Sequence, residues 1–167
     1  MTEQDAIDRE LAEILTRFPM VDPEVEAGVD RIWKLSKQLD RLWDSTAERF
    51  GLNQGGEYKV LLKLRQAPEE RMTPGELSGC LVLSTGAMTN RLDRLEQAGL
   101  ITRERDLQDR RSVIVRLTDR GRALIDEAVD AEAKEEARVF SALKPDEQRR
   151  LNALLRQLTL VFEQDRR

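Results

Sequence analysis

The sequence predicts a mainly α-helical fold with one small antiparallel β-hairpin. Apolar residues recur at three- and four-residue steps over most of the chain, as they do on the buried face of a helix. Residues 100–117 instead carry β-branched side chains on both sides of a polar turn, which indicates two paired strands. Aromatic residues make up 4% of the chain and charged residues 36%, a composition typical of helical proteins that complete their core by dimerising.

The first part of the chain is predicted to be entirely helical. Residues 1–18 form an N-terminal extension helix, and after Pro19 and Pro23 residues 24–66 form dimerisation and linking helices. The first of these has a near-heptad apolar stripe, which fits a coiled-coil seam or a buried face, and we expect it to support a dimer. The stripe comprises Val25, Val29, Ile32, Ser36, Leu39, Trp43, Ala47 and Phe50.

Residues 67–118 are predicted to form one domain, in which two short helices joined by a turn are followed by the hairpin. Thr73 and Glu76 form a capping box with Pro74 at the first helical position, so the first helix begins there. Its buried side is assigned to Leu77 and Leu81, and the turn to the next two residues, Val82 and Leu83.

The second helix is predicted to begin at the N-cap Ser84 and to end before Gly99. Met88, Leu92 and Leu95 are expected to point inward. Two strands follow at residues 100–105 and 112–117, with residues 106–111 as the tip of the hairpin.

Residues 119–167 are predicted to form two C-terminal dimerisation helices. Thr118 is the expected N-cap of a helix that reaches about Leu143, and its acidic run at residues 126–136 is interpreted as a solvated face. Pro145 opens the last helix, whose apolar stripe is too broad for a lone surface helix. That stripe comprises Leu151, Leu154, Leu155, Leu158, Val161 and Phe162.

The second helix of the predicted helix-turn-helix has the residues that read a DNA groove. Asparagine suits adenine and arginine suits guanine, so Asn90 and Arg91 are the candidates for base contacts. The positive end of the helix and its small residues favour close approach to phosphate. The remaining candidates, mainly for phosphate contacts, are Ser84, Thr85, Gly86, Thr89 and Arg94. Asp93 and Glu96 interrupt this positive face, so the contact strip must be narrow.

The hairpin tip carries the second group of DNA-binding candidates, Asp109, Arg110 and Arg111. An arginine at such a tip reaches into a narrow minor groove. Asp109 is expected to hold a neighbouring guanidinium in a bidentate pair and so orient it. A surface salt bridge of little energetic value is the alternative for Asp109 and Arg111 taken alone.

These stretches together resemble the winged-helix DNA-binding domain of the MarR family of bacterial regulators. The resemblance is carried by residues 77–83, by STGAMTNRLDRLEQAGLI from Ser84, by DRR from Asp109 and by LTDRGRALI from Leu117. It implies a homodimer whose two winged helices bind a pseudo-palindromic operator as a transcriptional repressor. It also implies a small, often aromatic effector that weakens DNA binding.

The extra N-terminal helix is similar to that of the family's subgroup with urate-responsive members. Those members have a tryptophan in the extension and an aspartate early in the helix before the helix-turn-helix. Here no tryptophan precedes Trp33, and Lys59 occupies the aspartate position. We therefore expect an effector other than urate, or none.

Some residues admit both a functional and a structural interpretation. Trp33, Trp43 and Tyr58 are candidates for the lining of an effector pocket, although core or dimer contacts are the commoner role of such residues. Cys80 is expected to be a buried small hydrophobe rather than a peroxide sensor.

Other classes of function are disfavoured. The chain has no histidine and one cysteine, so neither a histidine base nor a thiolate zinc site is expected, and no cofactor is predicted. The sequence lacks a secretory signal and a long apolar run, and its lone cysteine forms no internal disulfide, so we expect a cytoplasmic protein. The acidic first 30 residues motivate one alternative: a helical protein-interaction module that has lost DNA binding.

Overall fold

The computed structural model describes residues 4–52, 56–106 and 112–164. In this part of the chain it shows seven α-helices, a short 3-10 helix and three strands. The chain divides into two compact units, Met1–Tyr58 and Lys59–Arg167. The mainly helical prediction with a small antiparallel sheet is confirmed.

The N-terminal unit consists of α1 (Ala6–Arg17), α2 (Pro23–Arg49) and the first residues of α3 (Gly56–Gln66). Helix α1 starts at Ala6, later than predicted, because Asp5 caps it and accepts hydrogen bonds from two backbone amides of its first turn. It packs along α2, with Ile7 and Ala27 buried.

Ion pairs join α1 to α2. Arg31 of α2 donates to Asp5 at 3.0 Å and to Asp8 at 2.6 Å, and Lys34 donates to Glu10 at 3.1 Å. The N-terminal extension therefore packs against the long helix of its own chain.

The apolar stripe predicted on α2 is largely exposed in its first half. The exposed fractions of Val25, Val29 and Ile32 are 62%, 57% and 45%. Farther along, Ala47 is fully buried. The first half of the stripe is thus not a core face within the described part of this unit.

The second unit begins with the rest of α3, followed by the 3-10 helix Pro68–Glu70. Its remaining elements are, in order, β1 (Arg71–Met72), α4 (Pro74–Leu81), α5 (Thr85–Gln97), β2 (Ile101–Arg105), β3 (Val113–Leu117), α6 (Asp119–Phe140) and α7 (Pro145–Gln164). Helix α6 ends three residues before the predicted limit at Leu143.

The sheet has three antiparallel strands in the order β1-β3-β2. The predicted hairpin is β2 and β3, with Ile101 opposite Leu117 and Arg105 opposite Val113. Strand β1 adds a third strand that the sequence did not indicate. It ties the start of the helix-turn-helix to the hairpin through the pair of Met72 with Val115.

The core of this unit lies between the helix-turn-helix, the sheet and helices α3 and α6. Met88, Leu92 and Leu95 are each 1% exposed, as predicted for the inner face of α5. The other fully buried large side chains here are Val60, Leu61, Leu64, Leu77, Ile101, Val115 and Ile125.

Two glycines and one threonine fix the junction between α5, β2 and α6. Gly99 has a φ of +68° and ends α5, as predicted. A β-carbon on Gly121 would lie 2.9 Å from the carbonyl carbon of Leu100, so only glycine fits there. Thr118 caps α6, accepting from the Gly121 amide at 3.0 Å, and donates its hydroxyl proton to the Gly99 carbonyl at 2.8 Å.

Among the helices of residues 4–52, 56–106 and 112–164, none combines the length and the apolar character that a membrane span requires.

Candidate nucleic-acid interface

Helix α4, the first of the helix-turn-helix, is held at its start by the predicted capping box. The Thr73 amide donates to the Glu76 carboxylate at 2.7 Å, and the Glu76 amide donates to the Thr73 hydroxyl at 3.2 Å. Two hydrogen bonds from Thr73 lower the pKa of Glu76, the larger effect coming from the backbone amide and the smaller from the hydroxyl. The negative carboxylate therefore stays at the positive end of the helix, where it is stabilising.

The turn between the two helices contains a strained residue. Val82 has left-handed backbone angles, φ 51° and ψ 49°, which a β-branched residue adopts only at a cost. Its side chain is 92% exposed, so packing within the described chain does not offset this cost. The Leu83 amide donates to the Ser78 carbonyl at 3.1 Å and closes the turn.

The N-terminus of α5 is open to solvent. Ser84 is the N-cap, accepting from the Ala87 amide at 3.4 Å, and Ser84, Thr85 and Gly86 are all exposed. No heavy atom lies within 4 Å of the position of a β-carbon on Gly86. The fold itself therefore does not require glycine here, and the free space is available to an approaching backbone.

The outer face of α5 carries the side chains predicted to contact DNA. Thr89, Asn90 and Arg94 are exposed, whereas Arg91 is only half-buried and lies at the border between the outer and inner faces. The Thr89 hydroxyl donates to the Thr85 carbonyl at 3.0 Å, so in this conformation its oxygen can act only as an acceptor towards a ligand.

The two acidic residues of this helix accept hydrogen bonds from an arginine that was not among the residues predicted for the site. Arg103 of β2 donates through Nη2 to Asp93 and to Glu96, at 2.6 Å each, and through Nε to Glu96 at 2.9 Å. Its backbone amide also donates to Glu96, at 3.2 Å. These hydrogen bonds connect the second half of α5 to strand β2.

In the Arg103 cluster (Asp93, Glu96 and Arg103), the hydrogen bonds favour the charged forms of Glu96 and Arg103. The side-chain hydrogen bond from Arg103 lowers the pKa of Glu96. The hydrogen bonds to Glu96 and then to Asp93 raise the pKa of Arg103. The sequence did contain a signal for this cluster, because an arginine on the predicted strand follows Asp93 by ten residues and Glu96 by seven.

The wing candidates Asp109, Arg110 and Arg111 lie outside the described residues. The last described interaction before the hairpin tip is the hydrogen bond from the Asp106 amide to the Ser112 carbonyl, at 3.0 Å. The strands that lead to this tip are paired in register over all five residues, so the two strands predicted on either side of it are present.

The three aromatic candidates for an effector pocket differ in their environments. Trp33 is 61% exposed, Trp43 is half-buried and Tyr58 is 5% exposed. A cavity between α1 and α2 includes none of them in its lining, which consists of Asp5, Ile7, Arg31, Lys34, Leu35 and Gln38.

The prediction that Cys80 is buried is wrong, since its side chain is exposed. Helix α4 has eight residues, and of its two predicted core residues Leu77 is fully buried and Leu81 only half-buried. Cys80 lies about 60° around the helix from Leu77 and falls outside this narrow buried side.

The electrostatics of α5 agree with contact to an anionic partner at its first half. This half has no acidic residue, and its N-terminal amides add positive potential. Among the described residues, no group of three or more acidic residues or cysteine could hold a metal ion.

Comparisons with known proteins agree with this geometry. The MarR family model matches residues 55–113, from α3 into the hairpin. The transcriptional regulator PecS of Dickeya dadantii is 34% identical over 139 residues, which cover 82% of this chain and 82% of PecS.

Solved structures of regulators share the fold. The crystal structure of apo MarR from E. coli has a TM-score of 0.67 and 28% identity, covering 77% of this chain and 94% of that one. Sco3205 of Streptomyces coelicolor, a MarR family regulator crystallised with DNA, has a TM-score of 0.69, covering 83% of this chain and 88% of its own. At 22% identity, the second likeness concerns the fold alone. The chain therefore belongs to the MarR family of helix-turn-helix transcriptional regulators, which are DNA-binding proteins and not enzymes.

Proposed function

We propose that this protein is a homodimeric repressor that holds a pseudo-palindromic operator with α5 and the hairpin of each subunit. The observation that carries the proposal is the open N-terminus of α5, followed by an exposed face with Asn90 and Arg94. Asn90 and Arg91 are assigned to base contacts in the major groove. Ser84, Thr85, Gly86, Thr89 and Arg94 are assigned mainly to the phosphate backbone, and Asp109, Arg110 and Arg111 to the minor groove.

The apolar surface left uncovered by this chain supports the dimer. Helix α7 has no buried residue, and its exposed stripe includes Leu154, Leu158 and Phe162, which are 51%, 51% and 71% exposed. A contiguous exposed apolar stripe of this kind marks an interface. A second copy of the chain is the proposed partner, and its two-fold axis would place paired helices about 34–36 Å apart, one turn of DNA.

DNA binding is tested by selecting bound sites from a random duplex pool and measuring affinity by fluorescence anisotropy. We expect two half-sites about one helical turn apart. Asn90→Ala should relax the base preference, with a loss of about 1–3 kcal/mol at one position of each half-site. Arg111→Ala should weaken binding to all sequences and reduce the salt dependence by about one counterion.

The outcome that contradicts the proposal is the absence of any sequence-selective complex at low salt. That result would instead favour the acidic protein-interaction module, for which the nine acidic and two basic residues of the first 30 are the motive.

A small aromatic effector that releases the operator is the finer part of the proposal. Trp33, Trp43 and Tyr58 are its candidate contacts. Titration of the protein–duplex complex with a panel of phenols and benzoates tests it, since a true effector lowers duplex affinity and its action is lost in the Trp43→Phe or Tyr58→Phe variant. If no compound changes duplex affinity, this part of the proposal is wrong.

A further inference from the structure

The outer face of α5, which is proposed to approach DNA, carries two acidic residues. Residues 86, 89, 90 and 93 share one face, because side chains three, four and seven positions apart are neighbours on a helix. Asp93 therefore lies on the side that carries Gly86 and Asn90, and Glu96 follows one turn later. Carboxylates at these positions would repel the phosphates that the first half of the helix approaches.

The charges of α5 by itself cancel. The helix contains two arginines, Arg91 and Arg94, and two acidic residues, Asp93 and Glu96, so its net charge is zero. Including Arg103 of β2 brings the net charge of the group to +1. A positive charge beside the two acids would reduce their repulsion of phosphate.

The guanidinium of Arg103 lies beside both acids and is hydrogen-bonded to each of them. One guanidinium nitrogen of Arg103 is 2.6 Å from both Asp93 and Glu96, and Nε is 2.9 Å from Glu96. The Arg103 side chain is 26% exposed, less than either acid, so its guanidinium is shielded from solvent more than the carboxylates with which it pairs.

We propose that Arg103 is a positioning residue for DNA binding, which neutralises Asp93 and Glu96 and draws their carboxylates away from the operator phosphates. Arg103 need not contact DNA itself. The charge of Arg103 reduces the repulsion between these carboxylates and phosphate, so that the whole outer face of α5 can approach DNA. This inference rests on the proposed function of α5.

The test is a mutant cycle on a duplex that the native protein binds, read by fluorescence anisotropy at 0.1 M salt. Arg103→Ala should lower affinity about tenfold or more, because two unpaired carboxylates then face the DNA. Adding Asp93→Asn and Glu96→Gln to Arg103→Ala should restore affinity to within about threefold of native, since the repulsion is gone. In the native background the same two amide substitutions should change affinity by less than about threefold.

Two further variants separate the electrostatic effect from other causes. Arg103→Lys retains the charge and should lose less affinity than Arg103→Ala. Arg138→Ala removes the same charge from an exposed pair with Glu135 on α6 and should bind as native. Thermal unfolding of every variant shows whether the fold is retained at the assay temperature.

Several outcomes would overturn the inference. A triple variant as weak as Arg103→Ala would mean that Arg103 contacts DNA directly or only supports the fold. Equal gains from the amide substitutions in both backgrounds would mean no coupling, and a lysine variant as weak as the alanine variant would exclude charge compensation. Native-like binding by Arg103→Ala defeats this inference alone, whereas a native protein that binds no duplex defeats the proposed function and this inference with it.

Discussion

The Nη2 atom of Arg122 lies 2.6 Å from the carboxylate of Glu70, which joins the first turn of α6 to the 3-10 helix that precedes β1. The same carboxylate accepts from Arg65 of α3 at 2.8 Å, and Arg65 also pairs with Asp126. Three elements of the second unit thus meet at one glutamate. Glu70 has a left-handed φ of 51°, so these bonds hold a backbone conformation that is otherwise unfavourable.

The stability of the second unit should therefore fall in acid. The hydrogen bond and charge of Arg122, with the charge of Arg65, lower the pKa of Glu70 below its usual 4.5. Below about pH 5 the unfolded chain then binds the proton first, so the free energy of unfolding decreases as the pH falls towards the folded-state pKa. Urea unfolding between pH 7 and pH 3 measures this.

The contribution of Glu70 is isolated by Glu70→Gln. We expect a loss of about 1–2 kcal/mol at pH 7 and a shallower decline in acid, because the charged acceptor is gone. Asp130→Asn is the control: its pair with Lys134 is exposed and should contribute less than about 1 kcal/mol. A Glu70→Gln protein with native stability and native pH dependence would contradict the role of this carboxylate.

Gly86→Ala should separate DNA binding from folding. The side chain would meet no protein atom within 4 Å, and alanine favours a helix over glycine by about 0.5–1 kcal/mol, so the variant should be slightly more stable than native. The added methyl would occupy the space assigned to the DNA backbone, and we expect about tenfold weaker duplex binding.

The matched control is Gly28→Ala in α2, where a β-carbon likewise meets no atom within 4 Å. It should gain similar stability and leave DNA affinity unchanged. If Gly86→Ala also binds DNA as tightly as native, the N-terminus of α5 does not approach the duplex closely.

Relief of the strain at Val82 should stabilise the protein. Val82→Gly removes a side chain that is 92% exposed and permits the left-handed angles, so we expect a gain of about 1 kcal/mol in urea unfolding. Val113→Gly in β3, where the backbone is extended, should destabilise by about 1 kcal/mol. A loss of stability in both variants would mean that Val82 makes contacts that offset its strain.

A charge on the α7 stripe should disrupt the proposed dimer. Leu158→Asp places a carboxylate in the centre of that stripe, and we expect sedimentation analysis to show a dissociation constant raised at least about a hundredfold. Leu160→Asp is the control, because residue 160 lies about 160° around the same helix and is similarly exposed, at 46%. Dissociation by both substitutions or by neither would place the interface elsewhere.

The elements that the sequence predicted well are those with local signals. The side chains of Thr73, Ser84 and Thr118 each accept a hydrogen bond from the backbone amide three residues ahead, so a short stretch of sequence contains both partners. Gly99 marks the end of α5 for the same reason, as it supplies its own left-handed angle.

What the sequence did not reveal depends on partners distant along the chain. Strand β1 is two residues long and exists because Met72 pairs with Val115, 43 positions later. The Arg103 cluster also needs the strand to lie beside α5. The outward orientation of Cys80 follows from how narrow the packed side of α4 is, which residue spacing alone does not determine.

The hydroxyl of Thr118 has a mechanical consequence. The same hydroxyl oxygen caps the first turn of α6 and donates its proton to the carbonyl of Gly99, which ends α5. In addition, the Thr118 amide donates to the Leu100 carbonyl. These hydrogen bonds join the end of α5 directly to the start of α6. We therefore expect a rotation of α6 to move the end of α5 with it.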